Sequence, residues 1–128
     1  MPKILIIDDD RLVREAAQAV FRAKGYEAAA AADGKSGIQA ARAGRFDVAI
    51  VDLFMPGMDG LQVMDAIRKI HPDMPIIAAS GFMFGGSCPT MPNFDAIATE
   101  AGASGTLYKP FRSDDLVRAV EAAIQKAA

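Results

Sequence analysis

Short apolar runs alternate along the chain with longer stretches in which apolar residues recur every three or four positions. Uninterrupted runs of four or five aliphatic residues are typical of strands buried on both faces of a parallel sheet. The spacing between the runs gives each intervening segment one apolar face, as in a packed helix. This alternation predicts an α/β fold with helices on both faces of the sheet. The pattern predicts helices over 11–24, 35–43, 61–70 and the segment after Ser113, and strands over 3–7, 47–51, 75–79 and 105–108.

One segment conflicts with the preferences of its own residues. Positions 26–32 contain five consecutive alanines, and alanine is the strongest helix former. We nevertheless predict a strand here, because the alternation requires one between the first two helices.

Composition supports a compact protein and excludes several classes of function. The 128 residues, 52% of them hydrophobic, fit one domain over 1–128, and we expect no output domain within it. A net charge of −2 with interspersed signs leaves no basic patch for direct nucleic-acid binding. We expect no membrane association, because no apolar stretch approaches the roughly 20 residues that span a bilayer. A single cysteine, Cys88, permits no internal disulfide, and this favours the cytoplasm.

Charged residues stand where three of the predicted strands end. Asp8, Asp9 and Asp10 follow the first strand, Asp52 follows the strand over 47–51, and Lys109 follows the last one. The carboxyl ends of parallel strands lie at one edge of a sheet, where ligand sites form. Two or three carboxylates and one ammonium at that edge suit a divalent cation together with a phosphoryl group.

Four motifs occur in order at the ends of four predicted strands. They are Ile4-Leu5-Ile6-Ile7-Asp8-Asp9-Asp10, Asp52-Leu53-Phe54-Met55-Pro56-Gly57-Met58-Asp59-Gly60, Ser80-Gly81 and Tyr108-Lys109-Pro110-Phe111. Each motif is weak alone, but the ordered set closely resembles the receiver domain of two-component response regulators, over essentially the whole chain. The resemblance implies a flavodoxin-like, doubly wound sheet of five parallel strands in the order 2-1-3-4-5. It also implies a cis peptide bond between Lys109 and Pro110.

The resemblance assigns a chemical role to the acidic residues. Asp52 would be the nucleophile that accepts a phosphoryl group as an acyl phosphate. Asp8, Asp9, Asp52 and the main-chain carbonyl of Phe54 would hold Mg²⁺, with Asp8 acting mainly through a bound water. A site of hard oxygen ligands, at which the ion retains several waters, suits Mg²⁺ better than a transition metal.

The remaining motif residues would bind the phosphoryl group and respond to it. Lys109 would pair with one phosphoryl oxygen, and the Ser80 hydroxyl would bond another. Tyr108 would be the aromatic residue that turns inward when Ser80 moves, which changes the surface of the fourth helix, fifth strand and fifth helix. The result is a population shift between two states, and not an enzymatic reaction on an outside substrate.

The resemblance further implies the partners. A histidine kinase or histidine phosphotransfer protein would supply the phosphoryl group, and an unknown output protein would bind the switched surface. The chain itself is expected to be a monomer or weak dimer. Four alternatives stay open: a receiver excised from a larger regulator, a flavin-binding module, an aspartyl-phosphate phosphohydrolase, and a pseudo-receiver that is never phosphorylated. Three aspartates after the first strand disfavour a flavin phosphate, and Phe54 stands where a phosphohydrolase usually has its general acid.

Two features set this chain apart from the family pattern. The segment 82–94, rich in Gly, Pro, Phe and Met, makes the interval between Ser80 and Lys109 unusually long. It either folds onto the fourth helix or forms a lobe for docking or dimerisation. Phe54 and Phe82 either pack at the rim of the site or hinder the water that removes the phosphoryl group.

Two further residues have simple structural interpretations. Asp10 is predicted to cap the first helix, with a metal-ligand role as the alternative. His71 is predicted to be a solvated residue at the end of a helix, because no companion ligands for a metal accompany it.

Overall fold

The computed structural model describes residues 2–55, 59–80 and 94–127, and these residues form five strands and five helices in alternation. The strands are β1 (Lys3–Ile7), β2 (Glu27–Ala31), β3 (Val48–Asp52), β4 (Ile76–Ser80) and β5 (Gly105–Tyr108). The helices are α1 (Arg11–Ala23), α2 (Gly34–Ala43), α3 (Gly60–Ile70), α4 (Phe94–Glu100) and α5 (Ser113–Ala127). The predicted elements are therefore confirmed, with bounds that differ by one or two residues.

The strands form one sheet in the order β2-β1-β3-β4-β5, and every neighbouring pair is parallel. This is the predicted doubly wound, flavodoxin-like arrangement. Every residue of β3 and β4 is buried, as expected for strands covered on both faces. The order reverses at β1 and β3, so the ends of these two central strands border the crevice where ligands bind in such folds.

The two faces of the sheet carry separate hydrophobic clusters. Leu5 and Ile7 of β1 point to the face covered by α2 and α3, whereas Ile4 and Ile6 point to the face covered by α1 and α5. This follows from the two-residue repeat of a strand, which sends successive side chains to opposite faces. A rigid core on both faces holds the strand ends in place.

The alanine-rich segment is a strand because tertiary pairing outweighs its helix propensity. β2 pairs in register with β1, from Lys3 opposite Glu27 to Ile7 opposite Ala31. β2 is the edge strand of the sheet, and the small side chains of Ala28 and Ala31 are buried there. The outward-facing carbonyl of Ala28 accepts hydrogen bonds from Gln18 and Arg22 of α1 at 3.1 and 3.2 Å. These bonds protect the edge from pairing with another chain.

The ends of the helices confirm one detail of the sequence analysis and correct another. Asp10 caps α1, with its carboxylate accepting the N–H of Leu12 at 2.9 Å. Ser113 was predicted to precede the last helix, but α5 begins at Ser113 itself. The Asp115 carboxylate accepts the N–H of Arg112 at 2.9 Å, and this contact closes the first turn one residue earlier. Of the unusual segment 82–94, only Phe94 lies among the described residues, at the start of α4.

Candidate functional site

The ends of β1 and β3 bring two buried carboxylates together. Ile7 pairs with Val51 across these strands, so Asp8 follows directly beside Asp52, the last residue of β3. Both are only 3% exposed to solvent. Two buried carboxylates repel each other unless a cation lies between them.

Lys109 supplies that positive charge. Its Nζ lies 2.6 Å from Asp8 Oδ2 and 3.0 Å from Asp52 Oδ2, and its side chain is 17% exposed. The position of Lys109 is set by the register of β4 and β5, because its N–H donates to the carbonyl of Ser80 at 2.8 Å. The Lys109–Pro110 peptide bond is cis, as the resemblance implied.

The other oxygen of each carboxylate is held by the main chain. Asp8 Oδ1 accepts the N–H of Asp10 at 2.8 Å, and Asp52 Oδ1 accepts the N–H of Phe54 at 2.9 Å. In both cases an aspartate accepts a hydrogen bond from the residue two positions ahead, a local turn that aspartate favours. The two carboxylates are therefore fixed in orientation before any ligand binds.

Burial and ion pairing act in opposite directions on the charges in the site. Burial raises the pKa of Asp8 above its usual 3.8, the nearby charge of Asp52 raises it further, and the hydrogen bonds from Lys109 and Asp10 oppose the rise. Burial by itself lowers the pKa of Lys109, but its contacts with Asp8 and Asp52 outweigh burial and hold that pKa above 10.5. Lys109 therefore stays protonated, whereas the ionised form of Asp8 is destabilised by its surroundings.

Asp9 completes a group of three carboxylates. One oxygen each from Asp8, Asp9 and Asp52 lies within 4.8 Å of the others. Asp8 and Asp52 are buried and Asp9 is exposed, so the cluster opens to solvent on one side. Three carboxylate oxygens with an open side fit a hard divalent cation that keeps part of its water shell.

The remaining predicted site residues lie at the ends of β4 and β5 and two positions after the end of β3. Ser80 is the last residue of β4 and is 3% exposed, and it pairs with Tyr108 across β4 and β5. Tyr108 is 43% exposed. Phe54 is half-buried and packs against the hydrophobic cluster on the α2–α3 face of the sheet. Phe82 and Gly81 lie outside the described residues.

The structure adds two residues that sequence reasoning missed. Arg14 of α1 donates from Nη1 to the main-chain carbonyl of Asp8 at 2.9 Å. Gly60 starts α3 so close to the end of β3 that an added Cβ would lie 2.3 Å from Leu53 Cα and 2.7 Å from the Asp52 carbonyl oxygen. No chemical motif marks Arg14, and Gly60 appeared in the sequence only as part of a family motif.

His71 is more than a solvated residue at the end of a helix, and this corrects its predicted role. It caps α3, as predicted, but its ring Nε2 lies 2.6 Å from the carbonyl oxygen of Ala41 near the end of α2. The half-buried ring therefore ties the ends of two helices together at the edge of the sheet opposite the carboxylates.

The described part of the chain contains no helix that is both long and apolar enough to cross a membrane.

Comparison with known proteins agrees with this fold and with the charged strand ends. The family model of the response regulator receiver domain matches residues 4–121. The chain therefore belongs to the receiver-domain family of two-component response regulators.

Two relatives and one further structure illustrate the similarity. PrrA, a transcriptional regulatory protein of Mycobacterium tuberculosis, is 31% identical over 98% of this chain and 51% of its own length. The structure of the chemotaxis protein CheY4 of Vibrio cholerae is 30% identical, with a TM-score of 0.84 over 96% of this chain and 98% of that one. A CheY-like receiver domain from Methanospirillum hungatei has a TM-score of 0.87 at 24% identity, over 99% and 96% of the two chains, and shows the shared fold.

The chain spans about half the length of PrrA and of CseB from Streptomyces avermitilis, which it also matches. Receiver domains are signalling domains and not classical enzymes, and they act between histidine kinases and output domains.

Proposed function

We propose that Asp52 accepts a phosphoryl group in a Mg²⁺-dependent reaction and that this modification switches a protein-binding surface. One observation carries the proposal: the Lys109 ammonium contacts both Asp8 and Asp52, and Asp9 lies in the same carboxylate cluster. Such a group can bind a cation and a phosphoryl group side by side, and family membership supports this reading.

The reaction transfers a phosphoryl group from a nitrogen atom to an oxygen atom. A carboxylate oxygen of Asp52 attacks the phosphorus of a phosphohistidine on a histidine kinase or phosphotransfer protein. The new O–P bond forms as the P–N bond breaks, and the electron pair leaves with the imidazole nitrogen. Bound Mg²⁺ would supply neutralisation of the charge shared by the carboxylates and the phosphoryl oxygens.

The chain's own residues prepare Asp52 for this attack. The hydrogen bond from the Phe54 N–H to Asp52 Oδ1 fixes the carboxylate plane. Asp8, Asp9 and the Phe54 carbonyl oxygen would hold the metal, with Asp8 acting through a water. Lys109 already faces Asp52 Oδ2 and would exchange this contact for a phosphoryl oxygen. The buried Ser80 hydroxyl would donate to a second phosphoryl oxygen.

Modification would change the charge of the site and the surface next to it. A phosphoryl group adds about −1.5 to −2 charges and three strong acceptors. Ser80 is the last residue of β4, and Lys109 directly follows β5. Movement of these two residues would therefore reach Tyr108, which pairs with Ser80. A groove of about 370 Å³ lies beside Tyr108, with Phe111 and Arg118 among its lining residues. We assign the output partner to this groove and the exposed aromatic ring.

The surface next to the site also suits a protein donor. Leu12, in the first turn of α1, is 75% exposed, and Ala16 and Ala19 are exposed on the same side of the helix. Spacings of four and three residues place them along one face, which fits a helix of a kinase or phosphotransfer protein. A cytoplasmic location is part of the proposal, since the phosphoryl group ultimately comes from ATP.

The residues of the site favour a switch over two of the alternatives, a phosphohydrolase and a flavin-binding module. A phosphohydrolase needs a group that moves a proton at the leaving atom, and Phe54 has no titratable atom. The aspartates beside Asp8 would repel the phosphate of a flavin in the absence of a metal. A receiver that is never phosphorylated is distinguished by experiment.

The decisive experiment is incubation with acetyl phosphate and Mg²⁺, followed by intact mass measurement. We expect one added phosphoryl group, lost when Mg²⁺ is removed and absent in Asp52→Asn. Asp73→Asn is the matched control, because Asp73 is an exposed aspartate on the loop between α3 and β4. An unmodified wild type, or modification of Asp52→Asn equal to that of the wild type, would show that the chain is not a phosphoacceptor at Asp52.

A further inference from the structure

Arg14 contacts the site through the main chain and not through a carboxylate. Its side chain extends from the first turns of α1, and Nη1 donates to the carbonyl oxygen of Asp8 at 2.9 Å. Arg14 is half-buried. An arginine that only neutralised the acidic cluster would be expected to bond a carboxylate oxygen, so this geometry calls for another role.

The carbonyl that Arg14 binds belongs to the peptide group joining Asp8 to Asp9. The Asp8 side chain has its own supports, since Oδ1 accepts the Asp10 N–H and Oδ2 contacts Lys109. Its main-chain N–H donates to the carbonyl of Ala31 at 3.1 Å. The Asp9 side chain, by contrast, is exposed, so its direction depends on the peptide that carries it.

We propose that Arg14 is a positioning residue that holds the Asp8–Asp9 peptide so that the Asp9 carboxylate points into the cation site. The proposal rests on the function proposed above, because it assigns Asp9 to Mg²⁺. Arg14 acts through Asp9 and does not itself touch the metal. Residues that orient metal ligands in this way typically change metal affinity by about 10-fold or more when removed.

A purely electrostatic role and a positioning role of Arg14 predict opposite changes in Mg²⁺ affinity when Arg14 is replaced. A guanidinium near the site repels a divalent cation, so removal of its charge alone would strengthen Mg²⁺ binding. Loss of the hydrogen bond frees the peptide and lets Asp9 turn toward solvent, which weakens binding. The sign of the change in Mg²⁺ affinity therefore separates the two roles.

The test measures Mg²⁺ binding by isothermal titration calorimetry on the unphosphorylated protein, with urea unfolding without metal as a second readout. Arg14→Met removes the donor and the charge but keeps an unbranched apolar side chain. Arg11→Met is the matched control, because Arg11 carries the same charge on the same helix but pairs with Glu15, with its side chain 78% exposed. Arg14→Lys keeps the charge and one donor.

We expect Arg14→Met to weaken Mg²⁺ binding about 10-fold, Arg11→Met to leave it unchanged or slightly stronger, and Arg14→Lys to recover most of the loss. Asp9→Asn combined with Arg14→Met should lose little beyond Asp9→Asn alone, because both changes act through the same carboxylate. If Arg14→Met does not fold, Arg14→Gln replaces it in the comparison, because it also removes the charge and shortens the side chain.

Equal or tighter Mg²⁺ binding by a folded Arg14→Met protein, whatever its stability, overturns the positioning role and leaves the phosphoacceptor proposal intact. A wild type that binds no Mg²⁺ in the same titration overturns both proposals. Asp52 modification by acetyl phosphate is measured separately, so the two failures are distinguishable.

Discussion

Asp8 and Asp52 bind the same ammonium group, with Oδ2 of each lying 2.6 and 3.0 Å from Lys109 Nζ. Their Oδ1 atoms also have matching partners, since each accepts the N–H of the residue two positions ahead. The site is therefore assembled around Lys109 before any ligand arrives. This arrangement holds two buried negative charges close together, and that has a cost in stability.

Replacing Asp8 by asparagine should stabilise the protein at neutral pH. The pKa of Asp8 is raised by burial and by Asp52, so its contribution to stability is present below 3.8 and lost as pH rises through the raised value. Asparagine has no such dependence. The gain in melting temperature of Asp8→Asn over wild type should therefore be small in acid and larger at neutral pH, as measured by thermal unfolding across that range.

Asp33→Asn is the control of opposite sign. The N–H and then the hydroxyl of Ser36 lower the pKa of Asp33 below 3.8, so its contribution is present above that value and lost as pH falls through the lowered one. Asp33→Asn should therefore give no gain at neutral pH. If Asp8→Asn is less stable than wild type at neutral pH, the cost that we assign to the buried carboxylate is wrong.

Gly60→Ala should destabilise the protein and disturb the site. The added Cβ would lie 2.3 Å from Leu53 Cα and 2.7 Å from the Asp52 carbonyl, and both contacts are with main chain that cannot rotate away. Such overpacking costs about 1–3 kcal/mol, measurable by urea unfolding. Gly105→Ala is the matched control, because a Cβ there meets no atom within 4 Å. Equal losses for the two variants would contradict the close approach of α3 to β3.

The fold was predictable because its signals are local in the sequence. Uninterrupted aliphatic runs marked the buried strands β1 and β3, and the charges at their ends marked one edge of the sheet. The alanines of β2 had the opposite local preference, and only the alternation of neighbouring elements identified that strand. Its pairing with β1 supplies the hydrogen bonds that outweigh propensity.

The supports of the site were less predictable because they join residues by geometry that no spacing encodes. Arg14 reaches back to a main-chain carbonyl, and any arginine on a helix has many possible partners. His71 was expected to face solvent, but the packing of α3 against α2 brings its ring to Ala41. Contacts of this kind depend on the distance between two elements, which follows only from the folded structure.

Phe54→Asn should shorten the lifetime of the phosphorylated state. Phe54 follows Asp52 by two positions and is half-buried at the site, where its ring would hinder an attacking water. Asparagine is smaller and can hydrogen-bond a water, so we expect dephosphorylation to accelerate several-fold. The decay of the phosphorylated mass after removal of acetyl phosphate measures the rate.

Phe54→Leu is the control for this change, because leucine keeps an apolar side chain and should leave the decay close to that of the wild type. Urea unfolding of both variants separates lost packing, about 0.5–3 kcal/mol, from the change in rate. An unchanged decay in Phe54→Asn would assign Phe54 to packing alone.

Leu12→Ala should slow phosphorylation by a protein donor without affecting acetyl phosphate. Leu12 is 75% exposed on α1, and its side chain is available to a partner helix. Loss of one buried contact worth about 1.4 kcal/mol reduces the rate of transfer at low donor concentration about 10-fold. Acetyl phosphate needs no docking surface, so its reaction is the internal control for an intact site. Equal slowing with both donors would place the effect of Leu12 in the site and not in docking, whereas no slowing with either would exclude this face of α1.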